Sequence, residues 1–185
     1  MNSFLLHLGE LYIGLLLLRF YATLANTPIY MMPMQFLVTI SEPLTHPFRR
    51  FIRNRGLWDI TLLLLIIVLE VLLVAGLIFP SLVAAGTFNP LALLVYSLLR
   101  LLQTSIVLLL VIVVAEALLS WVNPHAPVAP FLQRLSAPFL EPLRRLISPI
   151  GGIDITPLIL LLLIQLFLQF ILNPFLVRAY LMVMI

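Results

Sequence analysis

A block of sequence occurs twice in this chain, and that recurrence constrains the fold more than any other feature. Residues 41–61 read SEPLTHPFRRFIRNRGLWDIT, and residues 136–156 read SAPFLEPLRRLISPIGGIDIT. At a constant offset of 95 residues, ten of the 21 positions are identical. They include Ser41/Ser136, Pro43/Pro138, Pro47/Pro142, Arg49/Arg144, Arg50/Arg145, Gly56/Gly151 and Asp59/Asp154. Leucines recur by chance in a greasy chain, whereas spaced prolines, twin arginines, a glycine and an aspartate do not. A repeat of this kind means that one supersecondary unit is built twice.

The solvent for that unit is lipid. Of 185 residues 63% are hydrophobic and only 9% charged, against roughly 45–50% and 25% in soluble domains. A span needs roughly 20 apolar residues to cross about 30 Å of hydrocarbon. Four stretches meet that need: about 4–25, 58–79, 91–122 and 155–177. The first is read as a retained span, because no Lys or Arg precedes Arg19 and Glu10 interrupts its apolar run. The expected fold is an all-α integral membrane protein of four transmembrane helices in two parallel repeats, 1–80 and 90–178. The join from Phe79-Pro80 to Asn89-Pro90 reads as a short turn.

Between the two spans of each unit lies a stretch too polar to cross. In 131–148, Leu132, Leu135, Phe139, Leu143 and Leu146 recur every three or four residues, with Gln133, Arg134, Ser136, Glu141, Arg144 and Arg145 opposite. In the first unit Phe36, Ile40, Leu44, Phe48 and Ile52 oppose Glu42, Thr45, His46, Arg49, Arg50 and Arg53. Such a two-faced, Arg-bearing helix lies in the membrane interface. Pro43 and Pro47, like Pro138 and Pro142, each remove a backbone hydrogen bond. The reading is therefore a break, with Pro47 and Pro142 opening a second short helix. Gly56 and Gly151 then end the interfacial segment. Asp59 and Asp154 precede the next span, where the helix dipole favours a carboxylate. Thr156 before Pro157 reads as an N-cap hydroxyl with proline in the first turn.

All ten basic residues are arginine, and seven of them (Arg49, Arg50, Arg53, Arg55, Arg134, Arg144 and Arg145) fall in the two connectors. That bias places the connectors in the cytoplasm and both termini outside, as expected of a multi-pass inner-membrane protein. Arg49, Arg50, Arg144 and Arg145 are the candidate contacts for anionic lipid or a partner protein. The modest net charge of +3 gives no reason to expect nucleic acid as a direct partner.

The P-x-x-x-P-x-R-R pattern, followed by G-x-D and an apolar span, resembles the YggT family of bacterial and plastid membrane proteins. The second unit carries it most fully, as APFLEPLRRLISPIGGIDITPLILLLL. The first unit departs from it, with Leu57, Trp58 and Leu62 in place of the second Gly, the Ile and the Pro. The resemblance implies an envelope accessory factor, in a family linked variously to cell division, nucleoid or thylakoid organisation, cytochrome assembly and osmotic adaptation. It brings no shared catalytic residues.

The residues themselves show no enzyme constellation, and no catalytic, metal or cofactor site is expected. There is no cysteine, and His7, His46 and His125 lie in different segments. Ionisable residues inside spans are costly and informative. Glu10, Glu70 and Arg100 fall toward the outer half, either as internal glue or as lining of a polar path. Aligning the ends of spans one and three sets Arg19 opposite Glu116 at one depth, which predicts an intramembrane ion pair across the repeat axis. The function expected is a membrane scaffold or assembly factor of the cell envelope, with a membrane-protein partner or further copies of itself. The alternative is an ion or small-solute permeation component.

Overall fold

A computed structural model describes residues 3–49, 59–85, 89–147 and 154–184. The chain runs through α1 (Ser3–Leu24), α2 (Met32–Arg49), α3 (Ile60–Ala85), α4 (Pro90–Val122), α5 (Ala129–Leu146), α6 (Thr156–Phe167) and α7 (Asn173–Met184), and a π-helical turn (Leu168–Leu172) joins the last two. Every regular element among the described residues is helical. A long helix, a shorter two-faced helix and a second long helix follow one another, and then the same order returns.

Three helices are long and apolar enough to cross a membrane: Ile60–Phe79 within α3, Pro90–Val122, and Thr156–Met184. Their outward stripes are bare hydrocarbon: Leu64, Val68 and Leu72 on α3, Leu98, Val107 and Val111 on α4, and Leu158, Leu162 and Leu166 on α6 are all exposed. Faces of that extent are tolerated in lipid and not in water. The protein is membrane-embedded. The sequence-expected first span corresponds to α1, whose 22 residues extend about 33 Å.

Local chemistry sets the ends. The α1 helix closes in a Schellman motif: Asn26 takes the left-handed conformation at φ 49°, Thr27 N–H reaches Ala22 O at 2.9 Å and Asn26 N–H reaches Thr23 O at 3.1 Å. Asn89 caps α4 through a bond from Ala92 N–H to its side-chain oxygen at 3.1 Å, with Pro90 in the first turn. Asp59 Oδ1 accepts from Leu62 N–H at 3.1 Å at the start of α3.

Several expectations need correction. The paired prolines do not break their helices: α2 and α5 run unbroken through Pro43 and Pro47, and through Pro138 and Pro142. Four-residue spacing puts each pair on one face, and that face is exposed. The carbonyls they orphan are thus on the side open to solvent, while buried contacts on the other face keep the helix whole. Thr156 is not the cap of α6. It is the first helical residue, and Asp154 does the capping. The α3 helix continues through Pro80 to Ala85, so the supposed turn is shorter than expected. The last helix also outruns its expected end at 177. It accommodates Pro174 through the π-turn, in which Asn173 N–H bonds Leu168 O and the lost i→i−4 bond is bypassed. Arg50, Gly56 and Gly151 lie outside the described residues, as does the side chain of Arg49.

Packing centres on α4, which meets α1, α3, α5, α6 and α7. Ile13, Leu16, Leu17 and Phe20 of α1 pack with Leu62, Leu65 and Ile66 of α3 and Leu101 of α4. Val113 and Leu140 pack with Leu160, Ile164, Leu168, Leu172 and Leu176. Between these clusters, Ala22, Met34, Leu37, Ile112, Phe131 and Leu135 join α1, α2, α4 and α5. The α2 and α5 helices are thereby docked on the bundle's connector end.

Candidate functional site

Hydrocarbon dominates this interior, so the buried polar residues mark where specificity resides. They form two layers, one at the connector end and one in the opposite half.

At the connector end, Arg19 and Glu116 are 4% and 5% exposed. Among the described residues no bond joins the two; each is held by the connector helix that follows it. Arg19 donates to Ser41 Oγ through Nη1, with Thr45 Oγ1 at 3.5 Å and Glu42 Oε2 at 3.4 Å from the guanidinium. Glu116 accepts from Ser136 Oγ and, at 3.2 Å, from Arg144 Nη2. The physical reason is reach. The connector helices pack against the ends of α1 and α4 and bring polar partners within bonding distance of both ions, so a long cross-axis contact is not needed.

This geometry reassigns faces. Ser136 and Thr45, expected on the outward polar side, are both fully buried, and Ser41 is buried beside them. Phe36, Phe48, Phe139 and Leu146, read as the apolar face of an interfacial helix, are exposed. Each connector helix therefore has a buried stripe carrying serine, exposed apolar residues and an exposed pair of prolines, which on α5 is joined by the exposed Arg145. Sequence reasoning missed Ser41 and Ser136 as ion partners. Their identity at the 95-residue offset is the signal in the sequence that could have found them.

The twin arginines of α5 part company. Arg144 turns inward, its Nη2 on Glu116 and its Nε on Asp154 Oδ2 at 2.7 Å. Asp154 in turn accepts at Oδ1 from Thr156 N–H at 2.9 Å and from the Thr156 hydroxyl. One guanidinium thus ties α5 to the end of α4 and to the start of α6. Burial opposes ionisation of Asp154, but the Thr156 hydroxyl, Arg144 and the Thr156 N–H together hold its pKa below the ordinary carboxylate range. Burial likewise works against the Arg144 charge, and its bonds to Asp154 and Glu116 prevail and push its pKa up. Arg145, by contrast, is exposed and makes no hydrogen bond or ion pair among the described residues. In the first unit Asp59 caps α3 as described above.

In the opposite half, three helices converge on Arg100 of α4. Its Nη2 lies 2.5 Å from Glu10 Oε1 of α1, and its Nε lies 3.6 Å from Glu70 Oε1 of α3. Glu70 is 3% exposed, and its Oε1 makes no hydrogen bond despite that ionic neighbour. His7 sits beside the other Glu10 oxygen at 3.4 Å. Nearby, Gln103 Nε2 donates to Asn173 Oδ1 at 3.1 Å, joining α4 to the residue that ends the π-turn. Among the described residues no group of three or more His, Cys, Asp or Glu is placed to hold a metal ion.

The sequence model of the CCB3/YggT family matches residues 1–78 and 95–175. The chain is 35% identical over 156 residues to the uncharacterised protein YggT of Escherichia coli K12, covering 84% of this chain and 80% of that one. An uncharacterised protein encoded 3′ of proC in Vibrio alginolyticus is 33% identical over 165 residues, 88% of this chain and 89% of the relative. A Pseudomonas aeruginosa protein is 29% identical over 168 residues, covering 90% and 85%. No solved structure matches. The two matched stretches take in α1 with α2 and most of α3, and most of α4 with α5, α6 and the π-turn, so the chain belongs to the CCB3/YggT family over nearly its whole length.

Proposed function

We propose that the protein is a non-enzymatic scaffold or assembly factor of the bacterial cytoplasmic membrane. In this reading α1 joins the three apolar helices as a fourth span, and the structure is two parallel repeats. The connector helices face the cytoplasm, where they meet anionic lipid or the surface of a membrane-protein partner. The observation that carries the reading is the division of labour between Arg144 and Arg145. The first is committed to holding α5 in place, and the second is left exposed next to the exposed Leu146. A basic side chain next to apolar ones suits a headgroup boundary, where each contributes about 1 kcal/mol toward an anionic surface.

The test uses the full-length protein in bilayer nanodiscs of phosphatidylglycerol and phosphatidylcholine. Spin-labelled lipids report which species is motionally restricted at the protein boundary. The expected result is a preference for phosphatidylglycerol that Arg145→Gln weakens and that rising salt screens. Equal retention of the two lipids by the unaltered protein would overturn the lipid-facing role. Cation flux into proteoliposomes above the protein-free background would replace the scaffold with a permeation component.

A further inference from the structure

Between α1, α4 and α5, where the two halves of the chain meet, lies a cleft of about 390 Å³. Tyr21 of α1 and Ala25 just beyond its end, Ser105 and Leu109 of α4, and Leu135 and Phe139 of α5 are among its walls. It reaches along α4 from Ile112 to Leu102, about 15 Å at the helical rise, from the connector level toward mid-bundle. Apart from Ser105 and the Tyr21 hydroxyl, the lining offers few groups to hydrogen-bond water. A water cluster needs two to four polar partners per molecule, so hydrocarbon is the occupant that fits.

The rim at the connector end is cationic. Arg134 of α5, next in sequence to Leu135, is exposed, and its Nη1 donates to the Asn26 carbonyl at 3.4 Å. Asn26 directly follows Ala25 of the cleft wall. That bond is long, so the guanidinium is lightly held, and a planar fork of donors there matches a phosphate. A hydrocarbon slot along a span with an arginine at its interfacial mouth has the polarity of one phospholipid molecule.

We propose that this cleft binds a single anionic phospholipid, with one acyl chain along α4 between Ile112 and Leu102 and its phosphate at Arg134. The proposal rests on the membrane reading above and narrows it to a defined lipid site. In hydrocarbon surroundings the chain gains by close packing against the cleft walls rather than by leaving water. Headgroup preference then comes from Arg134. The bound lipid would join the α1 half to the α4–α5 half along a seam that protein side chains leave open.

The experiment is native mass spectrometry of the delipidated full-length protein in detergent, titrated with dioleoyl phosphatidylglycerol or dioleoyl phosphatidylcholine. The expected result is one retained phosphatidylglycerol, bound at least tenfold more tightly than phosphatidylcholine. Arg134→Gln should bring the two lipids level. Ser105→Phe and Leu109→Trp fill the slot by different routes, and each should weaken the single lipid at least tenfold. Thermal unfolding of the lipid-free variants shows which of them is folded. The proposal is overturned if a folded, slot-filled variant retains one phosphatidylglycerol as tightly as the unaltered protein. It is also overturned if only detergent, or a second copy of the chain, occupies the seam. Arg145→Gln separates this from the boundary-lipid reading, since it should lower the preference of surrounding lipids and leave the single bound lipid in place.

Discussion

Ser41 and Ser136 occupy equivalent positions in the two halves of the chain and use the same hydroxyl in opposite senses. Ser41 accepts from the buried Arg19 guanidinium, and Ser136 donates to the buried Glu116 carboxylate. A hydroxyl is both donor and acceptor, so one conserved-length side chain serves either charge sign. That lets two serines 95 residues apart hold ions of opposite sign.

Because each ion is satisfied locally, exchanging the two charges should not cancel. Arg19→Glu would place a carboxylate beside Glu42, and Glu116→Arg would place a guanidinium beside Arg144. The double swap is expected to be no more stable than the worse single variant. Thermal unfolding in detergent should give a coupling between positions 19 and 116 within about 0.5 kcal/mol of zero. A cycle on Glu116 and Arg144, which bond at 3.2 Å, should instead give a coupling of about 0.5–3 kcal/mol. Full rescue by the swap would mean that the cross-axis pair forms after all.

Much of this architecture is legible in the sequence. The duplication and composition give the helical order, and Asp154 reads as a capping carboxylate from its place before an apolar run. What escapes is the azimuth of α2 and α5. Period-3.6 reasoning separates an apolar face with Phe36, Phe48, Phe139 and Leu146 from a polar one with Thr45 and Ser136, and gives no sign that the two hydroxyls turn into the bundle. In lipid that rule loses its force, since an exposed phenylalanine faces hydrocarbon at little cost, while a buried ion demands a hydroxyl. The continuity of α2 and α5 through two prolines escapes for a related reason. The cost of proline depends on which face is open, and only the packed structure fixes that face.

The twin arginines should separate experimentally. Arg144→Gln removes a link between α4, α5 and α6 and leaves Glu116 buried with Ser136 alone. It should lower stability by about 1–3 kcal/mol. Arg145→Gln touches an exposed side chain and should stay within about 0.5 kcal/mol of the unaltered protein. Thermal midpoints in one detergent at fixed salt check both, and equal losses would dissolve the distinction.

Asp154 gives a pH signature. Its carboxyl ionises more readily in the folded protein than the usual value of about 3.9, so it stabilises the fold above that value. The contribution disappears as pH falls through the lower folded pKa. Asp154→Asn keeps an oxygen for the Thr156 cap and removes the charge that Arg144 uses. The stability difference between the two proteins should be constant from pH 7 to about 5 and shrink below about pH 4. A difference that widens with acid would contradict the Arg144–Asp154 geometry.

Topology is open to a direct check, because the chain contains no cysteine. His125 and Phe4 are exposed and lie at opposite ends of the bundle. A cysteine at position 4 is expected to react with an impermeant maleimide on intact cells, and one at position 125 only after the membrane is opened. The arginine bias of the connectors is the warrant. Labelling of position 125 alone on intact cells would invert the orientation.

The far-side cluster holds two carboxylates and one guanidinium on three helices, an imbalance that makes its members unequal. Arg100 is the common partner, reaching Glu10 at 2.5 Å and Glu70 at 3.6 Å. Removing it with Arg100→Gln takes the ionic neighbour from the buried Glu70, and losing one partner of a buried pair costs about 3–5 kcal/mol. Glu70→Gln acts in the other direction. It removes the acid whose Oε1 makes no hydrogen bond and leaves the shorter Glu10–Arg100 pair intact. Its effect is expected to be neutral or stabilising, within about 1 kcal/mol. Glu10→Gln should be the worse of the two glutamate changes, since it removes the closer contact and leaves Arg100 with the more distant one. Thermal unfolding of the three variants at pH 7 and pH 5 orders them. If Glu70→Gln proved as damaging as Arg100→Gln, the weight of the cluster would lie on the α3–α4 contact, and the unsatisfied oxygen of Glu70 would need a partner other than Arg100.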